Sequence, residues 1–247
     1  MKRQRPRFIV LSLLMLMSAP LQAAQHLIKV VEIYQGPLAD AEAQYVVLQM
    51  YSAGQNQLQG HSVNVYGATD SLLGTFTFNA AVPNASNQDK ILIASSAAQA
   101  RFNIDADLLM MPVLPAAGGK VCFDAFDCVS WGNYMADAVN PSPSGNPFSP
   151  VDGLMPDTPY ARSTGANGTL ENQDDSNDSA TDFGVVVFAA PTNNAGEVGA
   201  VMPTIPGPMP DSGGSGGGGG NLSAGTLLWL SLLAILRLWL RRRPGRR

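Results

Sequence analysis

The chain has 247 residues, of which 45% are apolar, so it can bury one substantial core or two small ones. Its net charge of −4 hides an uneven distribution: residues 24–236 combine five of the fifteen cations with all nineteen carboxylates, a net of −14. Phosphate contacts need Lys and Arg, so this acidic body is not expected to bind nucleic acid or anionic lipid. Its recurrent Val, Ile, Leu and Phe also exclude a disordered acidic tract.

Residues 1–23 predict a secretory signal peptide. A basic stretch from Lys2 to Arg7 precedes the apolar run Phe8–Met17, and small residues follow up to Ala23. Cleavage after Ala23 satisfies the small-residue requirement of signal peptidase. The apolar run is too short to cross about 30 Å of hydrocarbon as a permanent anchor. We therefore expect an exported protein whose mature chain begins at Ala24.

Residues 24–200 are predicted to form one all-β domain. Short runs of β-branched and aromatic residues alternate with Gly-, Pro- and Asn-containing turns, a pattern typical of an antiparallel β-sandwich. Only Ser95–Arg101 has helical character, and no repeat indicates a solenoid or a propeller. The predicted strands are Leu27–Tyr34, Gln44–Tyr51, Ser62–Tyr66, Thr75–Phe78, Lys90–Ile93, Lys120–Phe123, Cys128–Trp131 and Phe183–Phe188.

The only two cysteines, Cys122 and Cys128, lie at the ends of two adjacent predicted strands. In an oxidising compartment they predict a disulfide, and closing so short a loop stabilises a fold by about 2 kcal/mol in the chain-entropy model. A zinc site would need two more ligands, and His26 and His61 are remote in sequence. A redox pair would favour Cys-x-x-Cys spacing.

Catalytic groupings are scarce. His61 is the only plausible general base, and no Gly-x-Ser-x-Gly elbow accompanies it. A paired-carboxylate glycosidase stays open, because nineteen acids give many pairs. The Gly tract at 213–220 lacks the Lys-Ser/Thr ending of a phosphate loop. We expect no catalytic residues and no cofactor other than calcium, discussed below.

Residues 133–162 form a long predicted loop rich in Pro, Ser, Asn and Gly. Long loops in compact domains are often functional, so a protein or glycan ligand is expected here first. Two interpretations apply to Trp131 and Tyr134 at the start of this loop. They form a platform for a ligand, or, as we favour for Trp131, the indole packs on the nearby disulfide in the core.

A run of oxygen-bearing side chains from Asn172 to Asp178 precedes the last predicted strand. Calcium takes six to eight oxygen ligands, so Asp174, Ser176, Asp178 and Asp182 are a candidate calcium site. The central Gly and terminal Glu of an EF-hand loop are missing, and Asp, Asn and Ser also form turns. A solvated turn is therefore the favoured interpretation.

Several segments between residues 28 and 183 follow a characteristic order. They comprise a strand with an acid near its end, a strand with an aromatic residue, a Leu-x-Gly turn, two cysteine-containing strands, an Ala-Arg-Ser turn and an acidic loop into Asp-Phe. These segments are Ile28–Ile33, Gln44–Gln49, Leu58–Val63, Val121–Phe123, Asp127–Gly132, Ala161–Ser163, Asp174–Asp178 and Asp182–Phe183. Together they resemble the lamin-tail domain.

This resemblance implies an immunoglobulin-like β-sandwich with an extracellular accessory or adhesive role, but no single activity. Three positions depart from the family pattern. Gln44 and Val47 stand where acids are usual, and His61 stands where Trp is usual. Roles that depend on those groups are not implied for this chain.

Residues 201–221 are predicted to be a linker. The prolines from Pro203 to Pro210 make an extended spacer, and Ser212–Gly220 make a flexible one. A backbone without side chains also suits the cleft of a protease at a membrane surface. The candidate cleavage glycines are Gly213, Gly214, Gly216, Gly217, Gly218, Gly219 and Gly220.

Residues 222–240 are predicted to cross the inner membrane once as a helix. They are apolar apart from a few small polar residues and Arg237, which lies near the end and can reach the headgroups. The tail at 241–247 is expected to stay in the cytoplasm and so leaves the preceding chain outside. The topology-determining arginines are Arg241, Arg242 and Arg243.

The order of these segments resembles that of proteins with the GlyGly-CTERM sorting signal of Gram-negative bacteria. A signal peptide and a body are followed by a Gly-rich spacer, an apolar helix and an Arg cluster. The resemblance covers Ser212–Arg247. It implies cleavage near the Gly tract by a rhomboid-family protease, rhombosortase, followed by attachment to the cell surface. A permanent single-span anchor in the inner membrane is the alternative.

The sequence thus predicts an exported, surface-anchored and non-catalytic β-sandwich that acts as a binding or structural module of the bacterial cell envelope. Two other functions stay open. One is a secreted hydrolase or nuclease accessory that depends on calcium, and the other is a periplasmic assembly subunit tethered to the inner membrane.

Overall fold

The computed structural model of the chain describes residues 26–135 and 141–201. The described residues belong to one compact structural unit. Within the described ranges, no helix is long and apolar enough to cross a bilayer. The predicted signal peptide at 1–23, the membrane segment at 222–240, the basic tail at 241–247 and all of the linker beyond Val201 lie outside the described residues.

Within residues 26–135 and 141–201, ten strands form two β-sheets. They are β1 (Ile28–Tyr34), β2 (Tyr45–Met50), β3 (Ser62–Gly67), β4 (Leu72–Thr77), β5 (Lys90–Ala94), β6 (Leu108–Leu109), β7 (Gly118–Phe123), β8 (Asp127–Gly132), β9 (Tyr160–Arg162) and β10 (Phe183–Val185). Sheet A has the order β10-β9-β1-β2-β5-β6, and sheet B has the order β4-β3-β7-β8. The pairs are antiparallel except β5 with β6. The predicted all-β sandwich is confirmed.

All eight predicted strands are present, with ends displaced by at most three residues. The two unpredicted strands are β6, with two residues, and β9, with three. A run this short contains too few positions to show the alternation that identifies a strand. Strands β6 and β9 are therefore defined by their pairing with neighbouring strands and not by a local sequence pattern.

Helices are short. Helix α1 (Ser96–Phe102) is the predicted helical segment, and the Ser95 hydroxyl caps it by accepting the Ala98 N–H. Helix α2 (Ser179–Asp182) was not predicted and is capped by the Asp178 side chain. Two further single turns of 3₁₀ helix lie at Leu38–Asp40 and Asn172–Asp174.

The main core lies between the two sheets, and a second apolar cluster covers the outer face of sheet A. In the second cluster, Tyr34 and Tyr45 stack at 5.1 Å and Phe102 of α1 meets both rings edge-on. Strands β1 and β2 are therefore buried along their whole length, on both faces. This explains why their sequences read as nearly continuous apolar runs.

The two long edges of the sandwich differ. On one side β8 lies against β1, and α2 packs against β8 and β10; we call β8, β9, β10 and α2 the closed edge. On the other side the outermost strands of the two sheets, β4 and β6, meet; we call them the open edge. Most residues of β4 are exposed, whereas every residue of β8 is buried.

Candidate functional site

Five charged side chains come together at the closed edge. Their exposed fractions are only 1% to 8%, so the group is almost entirely removed from water. Charged side chains are seldom buried to this extent unless they are paired. We call this group the Arg162 cluster, and it consists of Lys29, Asp127, Arg162, Asp175 and Asp182.

Arg162 of β9 lies at the centre and donates from all three guanidinium nitrogens. Its Nη2 donates to both carboxylate oxygens of Asp127 on β8, at 3.2 and 3.1 Å. Its Nη1 donates to Asp182 of α2 at 3.0 Å and to Asp175 at 3.1 Å. Its Nε donates to the Val30 carbonyl oxygen of β1 at 2.9 Å. One side chain thereby joins the two sheets and the helix between them.

Strand β1 contributes to the same cluster through an irregularity. Its pairing with β2 shifts register between Val30 and Glu32, and the Val30 N–H donates to the Asp127 carboxylate at 2.7 Å. The preceding residue, Lys29, pairs with the Asp175 carboxylate and lies 3.7 Å from Asp127. Beside this register shift, a backbone donor of sheet A is therefore hydrogen-bonded to a carboxylate of sheet B.

Burial and pairing act in opposite directions on the charges of the cluster. Burial raises the pKa of the Asp127 carboxyl even though Arg162 and Lys29 oppose that rise. At Asp175 burial acts to raise the pKa, but the hydrogen bond from Lys29 and the charge of Arg162 outweigh it and lower the pKa. Burial acts to lower the pKa of Lys29, and its two carboxylate neighbours reverse this and raise it. The cluster therefore holds its ion pairs together rather than presenting a proton to solvent.

The four predicted calcium ligands do not converge on one point. Asp182 accepts from Arg162 and from the Ser176 hydroxyl, at 3.0 and 2.7 Å. Asp174 and Asp178 accept backbone N–H groups of their own turns. Within residues 26–135 and 141–201, no group of three or more His, Cys, Asp or Glu side chains could hold a metal ion. The favoured solvated turn is exposed at Asn172, Gln173, Ser176 and Asn177, but the side chain of Asp175 within it is buried against Arg162.

Cys122 and Cys128 form the predicted disulfide. They are directly opposite residues of β7 and β8, with their Cα atoms 4.1 Å apart. Trp131 lies three residues further along β8, so its side chain points to the other face of sheet B. There it is fully buried in the main core, and its Nε1 donates to the Pro115 carbonyl oxygen at 2.8 Å. The expected core position of Trp131 is therefore confirmed, but its indole lies on the face of sheet B opposite to the disulfide.

Much of the loop predicted to bind a ligand seals the closed edge instead. Phe148 exchanges backbone hydrogen bonds with the outer side of β8, through the Ser130 oxygen and the Gly132 N–H. The Ser179 hydroxyl of α2 accepts the Ser130 N–H at 3.0 Å. Phe148 and Leu154 are buried in the main core. Residues 136–140 lie outside the described residues, and ligand binding by the loop at 133–162 stays a prediction.

Tyr134 at the start of the same loop is buried as well. Its ring lies 4.9 Å from Lys120 Nζ, and the Tyr66 ring lies 5.0 Å from the same atom. Lys120 also pairs with Asp70 at 2.7 Å, and the Tyr134 hydroxyl donates to that carboxylate. Such a cation between two aromatic rings is a favourable buried arrangement. Tyr134 therefore covers a lysine and is not an open platform.

His61 has a carboxylate partner that the sequence did not indicate. Its Nδ1 lies 2.5 Å from Asp124 Oδ2, and both side chains are 26% exposed. A carboxylate that orients a histidine is one part of a catalytic triad. No Ser or Cys side chain of the described residues hydrogen-bonds to His61. The rings of Phe123 and Phe126 contact the imidazole instead.

The open edge carries exposed apolar side chains that sequence reasoning missed. Their exposed fractions are 43% to 64%, and two of them, Leu109 and Met111, line a cavity of about 540 Å³ together with Phe76 and Met110. The available signal was the apolar runs at 72–73 and 108–111, which lie outside or beyond the predicted strands. These open-edge residues are Leu72, Leu73, Leu109 and Met111.

Comparison with known proteins identifies no counterpart. No protein-family model matches the chain, no curated protein matches it, and no solved structure matches it. The functional interpretation therefore depends on the geometry described above and on the targeting patterns at the two ends of the sequence.

Proposed function

We propose that this chain is an exported, non-catalytic β-sandwich that serves as a binding module displayed on the surface of a Gram-negative bacterium. The contrast between the two edges is the observation that carries this proposal. At the closed edge, three carboxylates are buried and paired with Arg162. At the open edge, Leu109 and Met111 are exposed beside a cavity of about 540 Å³, and exposed apolar surface of this kind is typical of interaction sites.

A protein segment is the ligand that best suits the open edge. The exposed residues are Leu and Met, whereas glycan sites rely on aromatic faces and polar groups. Among the described residues, β4 pairs only with β3, so its other side has main-chain groups that an extended segment can pair with. We therefore propose recognition of an extended apolar stretch of an envelope or extracellular protein.

We also propose that the sandwich is an immunoglobulin-like domain of the lamin-tail type. The separate segments behind that resemblance supply the residues of one cluster: Asp127, Arg162, Asp175 and Asp182 come from four of them. Support of the same kind comes from Tyr45, whose hydroxyl donates to the buried Glu32 carboxylate of the first segment. An experimental structure that superposes on lamin-tail domains with the same strand order would support the assignment, and a different order would refute it.

The proposed location is tested on intact cells. The expected mature chain begins at Ala24 and lacks the residues beyond about Gly220, and added protease removes it without lysis. Mass spectrometry gives both ends of the mature protein. Retention of Arg247, together with protection from protease until the outer membrane is opened, would instead establish the periplasmic, inner-membrane-tethered subunit. Replacing Gly213–Gly220 by a Ser- and Thr-containing stretch of equal length is expected to block release of the C-terminal segment.

The proposed binding surface is tested with a photo-crosslinking residue at position 109. The matched control carries it at position 187, an equally apolar and 82% exposed valine that follows β10 at the other end of sheet A. Irradiation of intact cells is expected to give a discrete adduct from position 109 and none from position 187. Equal adducts from both positions would show that the open edge is not a specific site.

A further inference from the structure

We infer that removal of the signal peptide creates a binding site for copper(II) or nickel(II) at the new N-terminus. Cleavage after Ala23 leaves Ala24, Gln25 and His26 as the first three residues of the mature chain. The inference rests on the cleavage contained in the proposed function. It concerns a site separate from the Arg162 cluster and from the open edge.

A histidine in the third position of a chain with a free amino group supplies four nitrogen ligands in succession. They are the Ala24 amine, the backbone amide nitrogens of Gln25 and His26, and the imidazole Nδ1 of His26. Copper(II) and nickel(II) favour square-planar nitrogen coordination, whereas zinc favours a tetrahedron. Chain connectivity alone brings these four nitrogens together, so no other part of the fold has to supply a ligand.

Proton balance makes the site dependent on both cleavage and pH. Metal binding displaces one proton from the terminal ammonium group and one from each of the two amides, so protons compete with the metal as the pH falls. In the precursor the Ala24 nitrogen is an amide joined to Ala23, and the terminal amine is missing. The precursor therefore lacks the complete ligand set, and only the processed chain has it.

The structure leaves His26 accessible for this role. Strand β1 begins at Ile28, and the Leu27 N–H donates to the Gln55 side chain at 3.1 Å, which holds the start of the strand. His26 precedes that anchor and is exposed. No hydrogen bond among the described residues uses the His26 N–H or its imidazole, so metal binding breaks no hydrogen bond of the sheet.

The other histidine of the chain provides an internal control. The Phe126 ring lies 6.4 Å from His26 and 6.0 Å from His61, so both imidazoles are at the same end of the sandwich. His61 is already hydrogen-bonded to Asp124 through Nδ1. Metal bound through His26 alone is therefore separable from metal bound through any histidine at this end.

The test uses the chain from Ala24 to Arg247 in detergent, released from a cleavable N-terminal tag so that it carries a free amine. Addition of copper(II) is expected to bind one ion per chain, with the visible absorption and the nitrogen hyperfine splitting of a four-nitrogen square-planar complex. Gln25→Ala and His61→Ala should retain this signal. His26→Ala should lose it, and so should Gln25→Pro, because proline has no amide proton to release. A chain that starts at Ala23, with the histidine in fourth position, should lose it as well.

Two outcomes separate the metal site from the export proposal. If the chain starting at Ala24 lacks the square-planar signal, or Gln25→Pro keeps it, the inference is overturned while the proposed export is unaffected. The same titration on protein purified after export, with its N-terminus determined by mass spectrometry, addresses the natural molecule. An exported chain that starts at another residue would overturn the inference for that molecule and would also disprove cleavage after Ala23.

Discussion

The closed and open edges of the sandwich differ in how their outermost strands are covered. At the closed edge, hydrogen bonds from Phe148 and Ser179 occupy the outer side of β8, and the Arg162 cluster joins the sheets. At the open edge, no described residue covers β4 in this way, and leucines are exposed. Burying charges carries a large desolvation cost, and exposing apolar surface promotes association. The first arrangement suits a permanent joint, and the second suits a contact that forms after folding.

The largest effect is expected from breaking the closed edge with Arg162→Met. Three buried carboxylates would lose their common partner, so we expect the free energy of unfolding to fall by about 3–5 kcal/mol. Urea titration measures this loss. The matched control is Arg101→Met, whose partner Asp157 is 60% exposed and whose loss should cost less than about 1 kcal/mol. If both variants lose the same stability, the Arg162 cluster does not hold the closed edge.

Removal of the disulfide should have a smaller effect. Replacing Cys122 and Cys128 together by Ser is expected to reduce the free energy of unfolding by about 2 kcal/mol, because the bond closes a short loop within one hairpin. Reduction of the unaltered protein with a thiol should reproduce that value. If the loss of unfolding free energy exceeded that of Arg162→Met, the β7–β8 hairpin would contribute more to stability than the Arg162 cluster that joins the sheets.

Acid should weaken the closed edge through Asp175. Its folded pKa is lowered below the ordinary value of 3.8, so its contribution is present above that value and is lost as the pH falls through the folded pKa. Asp175→Asn should therefore be less stable than the unaltered protein near about pH 7, with the difference narrowing near about pH 3. Asp105→Asn, at an exposed position, is the control. A difference that is the same at both pH values would contradict this assignment.

Changes at the open edge should barely affect stability. Leu109→Ser and Leu72→Ser are each expected to change the free energy of unfolding by no more than about 0.5 kcal/mol, because both side chains are largely exposed. The buried control Leu48→Ala should cost about 2–5 kcal/mol. If the open-edge variants were as destabilising as Leu48→Ala, these leucines would be part of the core and not an interaction surface.

The smallest effect is expected from calcium. The Arg162 guanidinium already occupies the carboxylates of Asp175 and Asp182, so neither calcium nor a chelator should shift the temperature of unfolding. Differential scanning calorimetry with each addition measures this directly. A rise in that temperature with calcium would show that the acidic turn binds the ion and would revive the calcium-dependent alternative.

The sequence was sufficient for the parts of the fold that depend on local pattern. Alternation and turn residues predict the strands that become β1 to β5, β7, β8 and β10, and the spacing of Cys122 and Cys128 predicts their disulfide. Strands β6 and β9 were not predicted, because these short runs are recognised as strands only by their pairing with neighbouring strands. Trp131 lies three residues after Cys128 on the predicted strand, and this odd separation already places the two side chains on opposite faces of sheet B.

The candidate site could not be predicted in the same way, because its members are far apart in sequence. Arg162 meets Asp127 and Val30 across separations of 35 and 132 residues. Local reasoning assigned the acidic turn to solvent or to calcium, since a turn rich in Asp usually faces water. The available signal was the scarcity of cations: Arg162 is one of only five in residues 24–236, against nineteen carboxylates, and a buried carboxylate needs a cation nearby.

The ends of β1 give the domain an orientation. The chain enters beside Phe126, at the Ile28 end, and it leaves at Ala200, whose N–H donates to the Phe102 carbonyl oxygen beside Tyr34 at the opposite end. Seven residues of strand separate these two points by roughly 20 Å. The described chain therefore begins and ends at opposite ends of the sandwich, with both histidines at the Phe126 end.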